Sequence, residues 1–472
     1  MIRKGNRDSF FFLSFFLSLL QLWSTLLGMR KVKNPNRGLM VISNSKIYGV
    51  PLYGCSWLPL NLQNHPHIHP AGGDNHHNDA TDEDDHDHDH RNDASAGDNQ
   101  DHDRDHRNDV PDHHNNHNDN DGADEFPPSI NATRLVVLAG GGGEGNIGIP
   151  NALLISEFDV NSNSLSDDPL SKLGTGADLP YRMALHPGGE GLICSMPKSC
   201  RWFEWDAIEN DGVPGWSLKS SEKIFQQLED VGQQLALTFD DEGSVLAVGG
   251  ENGKLRVYKW PSMESILDES NAHASVKDLA FSPDGKFLAS VGSSGPGRVW
   301  DIALSAPIAS LKRVKDERFG FCRFSISIKN RQILYITTMQ DQGGSIVKWN
   351  TTSWKRISSK RITRDSITAF SASADGKYLA VGTMEGDILV LHSSSMQVHT
   401  VVKKAHLGIL TSLMFSHDSR ALLSSSFDSS ARVTLIEDKE ERGWSLWVIL
   451  FILLLAMVVY YSRLVDMFLE DV

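Results

Sequence analysis

Residues 279–290 read LAFSPDGKFLAS, and residues 295–301, shortly after them, read GPGRVWD. The first segment is an apolar run, a turn built on Pro283, Asp284 and Gly285, and a second apolar run. This order predicts two antiparallel strands joined by a tight turn. The Trp300-Asp301 pair ends a third apolar run. A single unit of this kind cannot bury both faces of its sheet, so the pattern predicts that several copies pack against one another.

The same pattern recurs between residues 134 and 436. Equivalent positions are 54, 42, 43, 48 and 43 residues apart, at Leu185, Phe239, Phe281, Phe324, Ala372 and Phe415. A period in the forties, with short strands and Trp-Asp near the end, is typical of a WD-repeat propeller. Residues 48–60 together with 135–158 supply a seventh copy. We therefore predict an all-β, seven-bladed WD-repeat β-propeller. The alternative, a pair of β-sandwiches, does not explain the recurring turn residues.

Charge is concentrated in one segment of the 472-residue chain. Residues 64–126 hold 19 acidic and three basic residues and 13 of the 19 histidines, whereas the remainder carries a net charge of +1. Without a basic field, no nucleic-acid partner is expected. We interpret residues 64–126 as a disordered Asp/His-rich insert between two strands of one blade. Weak binding of zinc or copper by its histidines is the alternative. The four cysteines are too few for a disulfide scaffold and are expected to be reduced and mostly buried.

Residues 444–461 are predicted to form a C-terminal transmembrane helix. The run from Leu446 to Tyr461 has 16 residues and no charge, and aromatic residues flank it on both sides. Three basic residues precede the run and one follows it, which favours a cytosolic propeller and a short lumenal tail at 462–472. A span this short suits the thin membrane of the endoplasmic reticulum. A buried core helix is the alternative.

Residues 1–39 are interpreted as an N-terminal extension outside the fold. The mostly apolar stretch Phe10–Leu27 lies between basic residues, as in a signal peptide or a second anchor, and Met29 and Met40 offer later starts. A cleaved signal peptide would place the body in the lumen, against the orientation favoured by the C-terminal helix. The propeller is expected to begin within residues 40–63 and to continue over 127–437.

Residues 140–151 read GGGGEGNIGIPN and interrupt one blade. Gly143, Gly145 and Gly148 match G-x-G-x-x-G, but a dinucleotide site needs a helix after the glycines, and residues 152–158 predict a strand. The glycines can adopt positive φ and turn carbonyl oxygens, with the Asn151 amide, toward one centre. Such an oxygen cage suits a monovalent cation. Plain flexibility of this glycine loop is the alternative.

The glycine loop, residues 48–53 (YGVPLY), the repeats and the apolar C-terminal run together resemble the membrane-anchored guanine-nucleotide exchange factors that start COPII coat assembly. This is the prolactin-regulatory-element-binding protein family, here in its plant-type branch. The resemblance covers about residues 48–461 without the insert. It implies an exchange factor for the small secretion-associated Ras-related GTPase at the endoplasmic reticulum membrane, with the propeller in the cytosol and no covalent chemistry.

The resemblance also implies which residues form the site. The GTPase-contacting residues would be Gly145, Asn146, Ile147, Gly148, Ile149, Pro150 and Asn151. A potassium ion would be held by Gly140, Gly141, Gly142, Gly143 and Asn151. No catalytic residue is expected, because exchange requires only tighter binding of the nucleotide-free GTPase. Two alternatives stay open: a non-catalytic relative that assists exit of particular cargo, and a general WD-repeat scaffold at a membrane.

Overall fold

The structure is a computed structural model of the chain. It describes residues 44–59, 133–144, 148–210, 213–326, 331–341, 343–437 and 446–470. The predicted extension at 1–39 and the predicted insert at 64–126 lie outside the described residues.

Short antiparallel strands make up almost all of the described chain, as the alternation of apolar runs and turns predicts. In chain order they are β1 (Ser45–Ile47), β2 (Leu52–Trp57), β3 (Thr133–Gly140), β4 (Asn151–Asp159), β5 (Ser164–Leu165), β6 (Ser171–Gly176), β7 (Arg182–Leu185), β8 (Gly191–Ser195), β9 (Cys200–Asn210), β10 (Val213–Ser220), β11 (Gln234–Phe239), β12 (Val245–Gly250), β13 (Leu255–Lys259), β14 (Ser265–Glu269), β15 (Val276–Phe281), β16 (Phe287–Gly292), β17 (Gly297–Asp301), β18 (Ala306–Leu311), β19 (Arg318–Ile326), β20 (Gln332–Gln340), β21 (Gly343–Asn350), β22 (Arg356–Arg361), β23 (Ile367–Ala372), β24 (Tyr378–Thr383), β25 (Ile388–His392), β26 (Val398–Val402), β27 (Leu410–Phe415), β28 (Ala421–Ser426) and β29 (Ser430–Leu435).

The described strands form seven sheets, which are the blades of a propeller. Blade 1 is β2-β3-β4-β5, with β6 also paired to β4, and blades 2 to 6 use four consecutive strands each from β7 to β26. Blade 7 has the order β1-β29-β28-β27. The first strands of neighbouring blades pack side by side all the way around, from β2 through β7, β11, β15, β19, β23 and β27 and back to β2. The predicted all-β, seven-bladed propeller is confirmed, and β2, β3 and β4 form the predicted seventh copy.

Ring closure depends on a strand that the sequence did not predict. Strand β1 pairs antiparallel with β29 and so completes the blade formed by the other end of the chain, with Ser45 opposite Arg432. A second tie is the bidentate ion pair between Arg134, at the start of β3, and Asp418 in blade 7, with N–O distances of 3.0 and 2.7 Å. The Arg134 guanidinium holds the pKa of the Asp418 carboxyl well below its usual range.

The two faces of the ring carry different parts of the chain. Leu52, at the start of β2, is paired with Gly140, at the end of β3, so the β3–β4 connection lies on the face where the innermost strands begin. We call this the loop face. The opposite face, here the turn face, carries the tight turns such as the one at Gly285, whose φ of 67° suits glycine. The end of β2 at Trp57 and the start of β3 at Thr133 both lie on the turn face, and the last strand, β29, also ends there.

Each blade is held by apolar clusters and by a few buried polar contacts. In blade 4, Trp300 is fully buried, and its indole N–H donates to Ser290 Oγ at 2.9 Å. His273 Nε2 lies 2.8 Å from the same hydroxyl. Burial, with the nearby Arg298 charge, lowers the pKa of His273 to about 4. The Trp-Asp signature therefore marks a packed structural position in this blade. The four cysteines are buried and unpaired, as predicted.

The C-terminal segment forms a helix, α1 (Leu446–Glu470). It extends past Tyr461 through most of the residues predicted as a tail, while residues 444 and 445 lie outside the described part. Across the portions of the chain that the structure describes, no helix combines the length and the apolarity that crossing a bilayer requires.

Candidate functional site

The glycine loop connects β3 to β4 of blade 1 on the loop face. Strand β4 starts at Asn151, directly after the loop, and is paired along its length with β3. A phosphate-binding loop would need a helix N-terminus at this point. The strand therefore excludes the dinucleotide interpretation of the three glycines, as the sequence indicated.

The loop begins where two backbone segments approach closely. Gly141 donates its N–H to the Pro51 carbonyl at 2.9 Å. A Cβ on Gly140 would lie 2.1 Å from that same carbonyl oxygen, and a Cβ on Gly141 would lie 2.1 Å from Asn151 Oδ1. The φ of Gly141 is +149°, and that of Gly143 is +84°. Gly140 and Gly141 must be glycine because a Cβ would clash with neighbouring atoms, and glycine is favoured at position 143 because its backbone is left-handed.

Asn151 closes the neck of the loop. Its side chain is only 3% exposed. Its Oδ1 accepts the Gly143 N–H at 2.9 Å, and its Nδ2 donates to the Gly143 carbonyl at 3.2 Å and to the Gly176 carbonyl at 3.0 Å. One amide thus joins both ends of the loop to the outer strand β6. The part of the loop beyond Gly143 is held at its base by these three hydrogen bonds.

The predicted GTPase-contacting residues, 145–151, differ in their exposure to solvent. Gly145, Asn146 and Ile147 lie outside the described residues. Gly148 and Pro150 are exposed, with a φ of +76° at Gly148. Ile149 is half-buried and packs on the apolar cluster shared by blades 1 and 7. Asn151 is enclosed in the neck, so its contact with a partner stays a prediction.

The oxygen atoms at the neck are of the type that coordinates a monovalent cation. The carbonyl oxygens of Gly143 and Gly176 converge on Asn151 Nδ2, and each keeps a second lone pair. No carboxylate takes part in these contacts, which suits a weakly charged ion better than a divalent one. In the described residues no group of three or more His, Cys, Asp or Glu side chains is placed to hold a metal ion.

Sequence reasoning missed one support of the loop, at Gly176, and one contact of the blade that carries it, at Tyr48. Gly176 is 25 residues away from Asn151 and reaches it only because β6 pairs with β4. Tyr48 lies beneath the blade, where its hydroxyl is 2.6 Å from Ser156 Oγ and donates to the Ser166 carbonyl at 3.2 Å. Burial raises the pKa of Tyr48. Tyr48 belongs to the 48–53 segment that carries the family resemblance, and Pro51 of the same segment accepts the Gly141 N–H at the base of the loop.

A WD-repeat propeller with a glycine loop that is closed at its neck by Asn151 is thus the class of protein that the fold and the site define. The family model described as WD domain, G-beta repeat matches residues 265–301 and 396–434.

Comparison with known proteins gives the family. The chain is 53% identical over 307 residues to SEC12-like protein 2 of Arabidopsis thaliana, covering 64% of this chain and 77% of the relative. It is 32% identical over 319 residues to SEC12-like protein 1 of the same plant, covering 66% and 78%. It is 22% identical over 384 residues to the guanine nucleotide-exchange factor SEC12 of Rattus norvegicus, covering 68% and 89%. The chain belongs to the SEC12-like family.

Proposed function

We propose that this protein is a guanine-nucleotide exchange factor that activates the small secretion-associated Ras-related GTPase at the endoplasmic reticulum and so starts COPII vesicle formation. The observation that carries the proposal is the glycine loop, which is held closed at its neck by Asn151 and stands on the loop face. The names of the relatives support it, since one of them is a guanine nucleotide-exchange factor SEC12.

The mechanism requires selective binding and no covalent step. A propeller that binds the nucleotide-free GTPase more tightly than the loaded one lowers the affinity of the GTPase for nucleotide by the same factor. A loop that is closed before the encounter binds with less loss of conformational entropy than a loose one. In this mechanism residues 145–151 contact the GTPase, and the Asn151 amide also keeps the base of the loop in place.

A potassium ion at the neck belongs to the same proposal. Its ligands would be the backbone carbonyls of Gly140–Gly143 and the side-chain oxygen of Asn151. When bound, the ion would add electrostatic bridges between these oxygens, of which the Gly143 carbonyl already accepts a hydrogen bond from the Asn151 amide. Its contribution is stiffness of the loop, and the exchange reaction itself does not pass through it.

The membrane attachment is likewise part of the proposal. Leu446–Tyr461 has no charged residue, and Leu450, Ile452, Leu453 and Leu454 are each about half exposed. Exposed apolar side chains along a helix are suited to contact with lipid. We place residues 444–461 in the endoplasmic reticulum membrane as a single span, with the propeller in the cytosol.

Nucleotide release tests the proposal. The full chain in detergent is mixed with the purified GTPase loaded with a fluorescent guanine nucleotide, in potassium buffer and in sodium buffer at equal ionic strength. We expect faster release with the chain than without it, and faster release in potassium than in sodium. Equal rates in the two buffers would remove the ion from the proposal, and no acceleration in either would refute the exchange activity.

A further inference from the structure

Three apolar side chains stand exposed on the loop face of blades 6 and 7. The exposed fractions are 48% for Met384, 90% for Leu407 and 41% for Phe427. They lie on three neighbouring connections: Met384 follows β24, Leu407 precedes β27, and Phe427 follows β28. We call these three residues the apolar patch. The exposed Lys404–Glu385 ion pair, at 3.1 Å, lies beside it.

The backbone beneath Leu407 is rigidly held. Leu407 and Gly408 both donate their N–H groups to Asp428 Oδ2, at 2.6 and 3.2 Å. The adjacent His406 ring is buried, with its two nitrogens 2.6 Å from Ser430 Oγ and 2.7 Å from Ser424 Oγ. The backbone that carries Leu407 is therefore held in place, while its side chain is open to solvent. Such preorganisation lowers the entropic cost of using it in an interface.

The patch is continuous with the glycine loop. Phe427 stacks edge-to-face on Tyr53 of blade 1, with ring centroids 4.9 Å apart. Tyr48 donates its N–H to the Ser429 carbonyl at 2.9 Å, and three residues later the Pro51 carbonyl accepts the Gly141 N–H. Short, direct contacts thus connect the loop that carries Phe427 to the base of the glycine loop.

We infer that the apolar patch is a second contact surface for the partner of the glycine loop, burying Leu407 against an apolar area of the same GTPase. The inference rests on the proposed function. A single-domain partner of roughly 200 residues has a radius of gyration of about 16 Å, so seated on blade 1 it also covers the neighbouring blades. An apolar centre with a charged rim is the usual anatomy of a protein interface.

The patch supplies affinity, and the glycine loop displaces the nucleotide. The two roles separate in a titration of nucleotide release against concentration of the full chain. Leu407→Ser is expected to raise the half-saturating concentration about tenfold, because the variant loses the free energy of burying one leucine. The maximal release rate should stay within twofold of the wild-type rate. The matched control is Leu304→Ser, which removes a leucine that is 70% exposed on the turn face. Both variants are expected to keep the wild-type melting temperature, because neither leucine is part of the core.

The outcomes distinguish this inference from the proposed function. If the wild-type chain does not accelerate release at all, the proposed function fails. If it does, and Leu407→Ser has the same half-saturating concentration as Leu304→Ser, the inference about the patch is wrong. A Leu407→Ser variant that loses only self-association, measured by sedimentation velocity, would assign the patch to a second copy of this chain and would also overturn it.

Discussion

Replacing Asn151 by Ala removes the three hydrogen bonds that close the neck of the glycine loop. A hydrogen bond of this kind contributes a net 0.5–1.5 kcal/mol, and the groups left behind at Gly143 and Gly176 can partly reach water, so we expect a loss of about 2 kcal/mol. That figure corresponds to a change of about 30-fold in the ratio of closed to open loop. Affinity for the nucleotide-free GTPase should fall by up to this factor.

The assay is nucleotide release from the GTPase, with binding of the nucleotide-free form measured in parallel. Because the neck lies at the surface, the melting temperature of the propeller should change by no more than a few degrees. Asn350→Ala is the control. Its side-chain amide is likewise bonded to the backbone, with the oxygen accepting from Thr352 and Ser353, but on the turn face of blade 5. Release as fast with Asn151→Ala as with Asn350→Ala would refute the reasoning that a closed neck is needed.

Two further predictions concern the rest of the ring. The pKa of His273 is about 4 in the folded chain against an ordinary 6.5, so the unfolded chain binds the proton more readily. This histidine should therefore destabilise the fold as the pH falls from 6.5 to 4. Melting temperatures over that range should decrease less steeply for His273→Gln than for the wild type; parallel slopes would contradict this. Deleting residues 64–125 should leave nucleotide release unchanged, because Trp57 and Val136 are paired neighbours on the turn face and a short connection can join their strands. A folded deletion variant without exchange activity would show that the insert has a role in it.

Much of the ring could be predicted from the sequence because each blade repeats a local pattern of apolar runs and turns. What the pattern did not contain is the closure of the ring. Strand β1 has only three residues, and its place in blade 7 depends on pairing with β29, almost four hundred residues away. The position of β1 is set by the free edge of β29, the last strand of blade 7, and the local pattern of apolar residues does not encode this pairing.

The glycine loop shows the same division between local and distant information. The sequence predicted a strand after Pro150, and β4 confirms it. The predicted oxygen cage, in which the Asn151 amide and several glycine carbonyls point toward one centre, stays a prediction; in the structure Asn151 Nδ2 donates to the Gly143 carbonyl. The second carbonyl, from Gly176, could not be predicted, because that glycine comes to the neck through the pairing of β6 with β4. Contact of residues 145–151 with a GTPase stays a prediction.

The separation of the two faces has an electrostatic consequence. Most of the described strands have 5 to 8 residues, so the ring is about 17–26 Å thick. If the bilayer is reached from the turn face, where β29 ends, the glycine loop is at least that far from the lipid headgroups. The field of anionic lipids decays over about 8 Å at physiological ionic strength. Nucleotide exchange at the loop should therefore be indifferent to the surface charge of the vesicle that carries the protein.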